Sequence, residues 1–143
     1  SYSYTDAKYG SLKVIVKEGN ELKENNLKNK KVENAPNNII RSGITFSYKG
    51  LILTTQMSHV SSAFADANNT LTPTANGQNG LIPAYTVADI TATYRWRKNY
   101  NIKLGVNNLT NENYFTRRSG GYPGPGVLPA DGRSVFLSFG ATF

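Results

Sequence analysis

The chain has no cysteine and one histidine, His59, among its 143 residues. Without cysteine there is neither a disulfide framework nor a thiolate metal site. A single histidine leaves an imidazole metal cluster, or a Ser–His–Asp triad, short of members. His59 lies in Met57-Ser-His-Val-Ser-Ser62, but no acid is placed to orient it as a base. The nine carboxylates are scattered, with no paired spacing that suggests acid–base work. No cofactor and no catalysis are expected. No run of about 18 apolar residues exists, so no membrane helix is expected. This leaves a membrane barrel open, because barrel strands turn only alternate residues to lipid. The opening Ser1-Tyr-Ser-Tyr-Thr-Asp6 has no basic or apolar leader pattern. It reads as the inside of a strand, so the chain is expected to begin mid-protein.

What is present is basic. The net charge is +7, from 16 basic and nine acidic residues. Half of the basic residues fall in one stretch: Lys8, Lys13, Lys17, Lys23, Lys28, Lys30, Lys31 and Arg41. Such a cluster can mark nucleic-acid binding. Glu18, Glu21, Glu24 and Glu33 are interleaved with it, which favours a solvated loop of mixed charge, with no nucleic-acid partner.

Alternation with aromatic and β-branched enrichment predicts six strands. They cover about Tyr2–Lys8, Ile39–Tyr48, Leu51–Phe64, Tyr85–Trp96, Tyr100–Arg117 and Ser134–Phe143. In the fourth, Ala88, Ile90, Ala92, Tyr94 and Trp96 oppose Asp89, Thr91, Thr93 and Arg95. In the last, Val135, Leu137, Phe139, Ala141 and Phe143 oppose Ser134, Phe136, Ser138, Gly140 and Thr142. One greasy face and one polar face suit a strand between lipid and lumen. The last strand of a soluble sandwich alternates in the same way.

The connections separate these readings. Short turns at about 49–50 and 97–99 alternate with long loops at about 9–38, 65–84 and 118–133. In an antiparallel up-and-down sheet, every short turn then lies at one end and every long loop at the other. Outer-membrane barrels have short periplasmic turns and long extracellular loops. Tyr48, Tyr94, Trp96, Tyr100 and Phe143 cluster near the short turns, as an interfacial aromatic girdle does. The fold expected is all-β, an antiparallel up-and-down transmembrane β-barrel. Six strands do not close one, since small bacterial barrels have about eight. The chain is therefore read as part of a larger barrel.

Three stretches resemble the C-terminal end of TonB-dependent outer-membrane receptors, in the ferric-citrate-type branch. They are Val60 to Thr70 with Gly77 to Tyr85 and Asp89; Gly105-Val-Asn-Asn-Leu-Thr-Asn-Glu-Asn-Tyr-Phe115; and Thr116 to Ser134. The second is similar to the family's G-x-x-N-L-x-(D/N)-x-x-Y stretch. The resemblance runs from about residue 34 onward, and the loop from Gly10 to Glu33 lies outside it. It implies the C-terminal six or so strands of a plugged barrel of about 22 strands. It implies binding and energised import of a ferric chelate, citrate or another siderophore, at the outer membrane of a Gram-negative bacterium. TonB and its inner-membrane partner proteins would act through an N-terminal plug that this chain lacks. The barrel-assembly machinery would read the last strand, with Phe139 and Phe143 as the signal. Outer-membrane lipid would surround the wall. Other cargo of the same architecture (cobalamin, haem, a glycan) and a soluble β-sandwich binding module remain alternatives.

Arg117, Arg118 and Arg133 flank the last long loop. Guanidinium forks suit a polycarboxylate chelate, though pairing with Asp131 or with anionic lipid would also occupy them. Gly120-Gly-Tyr-Pro-Gly-Pro-Gly126 holds neither helix nor central strand. It reads as a kinked connector presenting Tyr122, a candidate ligand contact. Asp89, Arg95 and Lys103 face the expected lumen, where they would touch the plug, line a path or pair across strands. Asn107 to Asn111 reads as structural, shaping the strand where it leaves the membrane.

Overall fold

The computed structural model describes residues 1–97, 99–121 and 124–142, with the side chain of Glu18 left aside. Its strands are β1 (Tyr2–Tyr4), β2 (Lys13–Glu18), β3 (Glu21–Asn26), β4 (Asn38–Tyr48), β5 (Leu51–Val60), β6 (Ala63–Phe64), β7 (Leu81–Ile82), β8 (Tyr85–Trp96), β9 (Tyr100–Asn107), β10 (Phe115–Ser119), β11 (Gly126–Pro129) and β12 (Ser134–Ala141). There is no helix among the described residues. One six-stranded antiparallel sheet, in the order β1-β4-β5-β8-β9-β12, forms the body. Three two-stranded ribbons, β2-β3, β6-β7 and β10-β11, occupy the long connections. The sheet is an open meander, with β1 and β12 at its edges.

The register sorts side chains by face, because residues paired across strands point the same way. Ile44, Thr55, Ile90, Val106 and Val135 form one cross-sheet row. Phe46, Leu53, Ala92, Leu104 and Leu137 form the next, and Tyr48, Leu51, Tyr94, Ile102 and Phe139 the one after. These rows make a continuous apolar face. It is uncovered: Ile44 is 74%, Leu137 73% and Phe139 66% exposed. The second packed layer that a sandwich requires is absent from the described residues. Among the described residues, buried apolar side chains reduce to Leu27, Ala63 and Ile82, all outside the main sheet. The opposite face carries Arg41, Gln56, Asp89, the Thr45–Thr54–Thr91 row, Lys103 and Arg95. The mixed pattern of β5 resolves with Leu51, Leu53 and Met57 on the apolar face and Ile52 on the polar one.

Turn chemistry fixes the short connections. Lys49 and Gly50 both have positive φ, 42° and 86°, the type I′ geometry that matches the twist of a two-residue hairpin. A Cβ on Gly50 would meet the Arg95 carbonyl oxygen at 2.8 Å, while Arg95 N–H donates to the Gly50 carbonyl at 2.9 Å. At the same end Trp96 and Tyr100 pack at 5.8 Å, and Tyr100 stacks on Phe139 at 6.2 Å. Lys98 and Phe143, which the sequence places in the second turn and the aromatic girdle, lie outside the described residues.

Three expected strands are shorter than the pattern suggests. The first ends at Tyr4, not Lys8. Pro36, just before the partner strand begins, has no N–H to extend the ladder. The third stops at Val60. There Ser61 N–H and Oγ bond the Asn38 carbonyl and N–H, and the chain turns into β6. The fifth stops at Asn107, because Asn108 is left-handed, at φ 50°. In the other direction, the charged stretch expected as solvated loop contains the β2-β3 hairpin. It turns at Gly19, φ 67°, and carries a Lys13–Glu24 ion pair at 2.6 Å.

Candidate functional site

The polar face and the long-loop end meet around β9. Asn108 is 3% exposed and acts as a hub. Its N–H donates to Asp89 Oδ1 at 2.8 Å. Its Nδ2 donates to the Glu112 and Asp131 carbonyls, and its Oδ1 accepts from Glu112 N–H. Leu109 N–H returns to the Ala88 carbonyl at 2.7 Å. Asn111, also left-handed, accepts from Arg133 N–H at 3.1 Å. Tyr114 stacks on Tyr85 with centroids 4.4 Å apart. Asn108, Leu109, Asn111 and Tyr114 of the 105–114 motif thus anchor the crossing from sheet to loop.

The arginines expected to bind ligand are not gathered into one site. Arg118 gives Nε and Nη2 to the Leu81 carbonyl and Nη1 to the Gly77 carbonyl, at 3.2, 3.0 and 2.9 Å. Its guanidinium also lies 4.9 Å from the centroid of the Phe115 ring. It ties the β10-β11 ribbon to the preceding loop. Arg117 and Arg133 are exposed, and their guanidinium groups have no partner among the described residues; Asp131 pairs with neither. Tyr122 lies outside the described residues. Asp89, Arg95 and Lys103 all sit on the polar face. Asp89 serves Asn108, Lys103 Nζ rests 5.5 Å from the Phe136 ring centroid, and Arg95 is unpaired among the described residues. Phe139 is on the apolar face.

Sequence reasoning missed Arg41. It counted as one more charge of the basic stretch, yet its parity opposite Ile40 and Ile44 already puts it on the polar face. Arg41 edges a cavity of about 300 Å³ at the loop end of that face. Ile39, Val60 and Tyr85 supply the sheet side, and Ala63, Ile82 and Thr116 come from the loops. No acid lines the cavity among the described residues, and no hydrogen bond or ion pair there engages the guanidinium. A second depression of about 300 Å³ lies beside Arg41, Gln56, Ser58 and Asp89.

The loops above are linked to one another. Asn25 bonds Asn68, Lys30 Nζ donates to the Asn68 carbonyl, and Lys31 and Asn69 exchange two bonds. Tyr9 hydroxyl donates to Glu33 in a short bond. The bond, then burial, then the carboxylate charge raise the phenol above its ordinary pKa. Asp6 beside Lys8 raises that ammonium likewise, first through their hydrogen bond. No group of metal-ligating residues is found among the described residues.

A family model described as TonB dependent receptor-like, β-barrel, matches residues 1–109. A search of curated proteins gave no match. Among solved structures, the unliganded ferric citrate transporter FecA is similar at 21% identity and TM-score 0.71, over 85% of this chain and 20% of that one. The siderophore receptor PiuA from Acinetobacter baumannii is similar at 20% identity and TM-score 0.69, over 88% and 17%. The ferric-catecholate import receptor Fiu from E. coli K12, closed form, gives 18% and 0.62, over 86% and 18%. At these identities the likeness is one of fold. The chain spans about a fifth of the length of the structures it matches.

Proposed function

The chain belongs to the TonB dependent receptor-like β-barrel family, and from that premise we propose that it forms the closing wall strands of an outer-membrane receptor that binds and imports a ferric chelate. The uncovered apolar face carries the reading. A row-by-row array of Ile, Leu, Val, Phe and Tyr, exposed on one side of a single sheet, matches a wall bathed in hydrocarbon. From Thr86 to Trp96 the strand β8 is ~33 Å long, and at a ~40° tilt it stands ~25 Å high, the depth of the apolar band of such barrels. The short turns with Trp96 and Tyr100 sit at the periplasmic rim, and the ribbon-bearing loops outside the cell. Asp89, Arg95 and Lys103 then face the lumen.

Ferric citrate or a related siderophore is the cargo, supported by the basic balance of the polar face and by the receptors named above. The rest of the barrel and a plug complete the protein. TonB with its inner-membrane partners drives import through that plug. The assembly machinery engages β12 through Phe139, with Phe143 of the sequence as the second part of the signal. The test is uptake of radiolabelled iron, supplied as ferric citrate, by cells with and without the full-length protein, in the presence and absence of TonB. Uptake that needs both is expected. Uptake indifferent to deletion of the protein rules the proposal out.

A further inference from the structure

We infer that Arg41 and the cavity it borders receive one carboxylate-bearing limb of the chelate, an inference that rests on the receptor reading above. The cavity is built as a site for a small anion on an apolar stem. Its sheet side, Ile39 and Val60 with the ring of Tyr85, is hydrocarbon, and Ile82 and Ala63 close it from the loops. Ile82 is 4% and Ala63 8% exposed, and Tyr85 is held by its stack on Tyr114, so three walls are fixed before ligand arrives. Arg41 is the single charge among the described lining residues; its charge acts on the Tyr85 hydroxyl, and no hydrogen bond or ion pair among them engages its guanidinium. The Thr116 hydroxyl at the same margin also has none. A guanidinium fork matches a carboxylate with two parallel bonds, and the apolar side chains beside it suit the stem that carries the carboxylate.

The other arginines lack this combination. Arg118 already serves three bonds to backbone carbonyls, and Arg117 and Arg133, exposed like Arg41 itself, line none of the cavities described above. Arg41 therefore sets the preference for an anionic chelate, while the rim arginines contribute field alone.

The experiment titrates ferric citrate into the full-length receptor in detergent by calorimetry, with heat-modifiable gel migration confirming an assembled barrel. Arg41→Ala and Arg41→Gln are expected to weaken binding roughly 10- to 100-fold, the usual range for losing a charge-assisted bond. Arg41→Lys keeps the charge without the fork and is expected to lose less. Arg117→Ala and Arg133→Ala are expected to change affinity by about twofold or less. Wild-type affinity in Arg41→Ala or Arg41→Gln, in a receptor that does bind ferric citrate, overturns the assignment and leaves the receptor reading standing. A wild-type receptor that binds no ferric carboxylate overturns both.

Discussion

The ring of Phe136 covers Gly105, its cross-strand partner on the polar face, so closely that a Cβ at 105 would stand 2.3 Å from two ring carbons. A glycine in a strand weakens it, and an aromatic ring laid over the gap restores cover to the backbone. Lys103 completes the arrangement from beside the ring. Gly105→Ala is expected to displace the ring and cost about 1–3 kcal/mol, the range for an overpacked site. Adding Phe136→Ala removes the collision, so the double variant should be less destabilised than the two single effects summed. Urea unfolding of the full-length barrel in micelles measures all three, and strict additivity would show that the two residues do not interact.

Arg118 is expected to hold two loops together. Arg118→Ala removes all three bonds to the Gly77 and Leu81 carbonyls. Lysine offers a point charge rather than a fork aimed at two carbonyls, so Arg118→Lys should restore little. A nonspecific protease should cut the 65–84 loop faster in both variants, and no faster in Arg117→Ala. Equal cutting in all three would mean that the loop is ordered by its own contacts.

The strand cores, the two faces and the sorting of short and long connections were legible in the sequence, because they follow from a period of two and from turn composition. Val135, Leu137 and Phe139 against Ser134, Phe136 and Ser138 is a pattern that only one register satisfies. The ends of strands were not legible. Val60 and Asn107 end their strands through bonds made by Ser61 and Asn108 to residues 19 to 23 positions away, and alternation continues past both. The β2-β3 hairpin was hidden by its charges, although Val14-Ile15-Val16 ahead of Gly19-Asn20 carried the signal of a tight two-residue turn. Arg118 and Arg41 show the same boundary for function. Both are arginines next to loops, and only the fold reveals that one is bonded to carbonyls and that the other borders a cavity with no hydrogen bond or ion pair to its guanidinium.

Asn108 should tolerate almost nothing. Its left-handed backbone admits glycine, so Asn108→Gly keeps the conformation and loses the side-chain bonds to Glu112 and Asp131. Asn108→Ala loses the same bonds and adds the strain of a Cβ at positive φ, about 1 kcal/mol more. Asn108→Asp keeps an acceptor for Glu112 N–H, removes both donors and places a second carboxylate near Asp89, so it should be the worst of the three. Chemical unfolding midpoints of the assembled barrel should fall in the order glycine, alanine, aspartate. An alanine variant at least as stable as glycine would show that the backbone strain at this position is negligible.

The bond between Tyr9 and Glu33 ties the two ends of the first long loop, and its response to pH has a definite sign. The folded phenol is raised above its ordinary value of 10.0, chiefly by donating to Glu33. A raised phenol pKa means that folding favours the neutral form. The contribution is therefore complete below about pH 10, and it fades as pH climbs through the higher folded value. Tyr9→Phe removes the donor, and with it this alkaline dependence. Phenolate absorbance of wild type minus Tyr9→Phe isolates one tyrosine from the nine in the chain. Its midpoint should lie on the alkaline side of a free tyrosine. Proteolysis of the 9–38 loop in wild type should rise through the same interval, while Tyr9→Phe should be cut at the faster rate already at neutral pH. A difference titration centred at or below the free-tyrosine value would show that Glu33 does not hold the hydroxyl in solution.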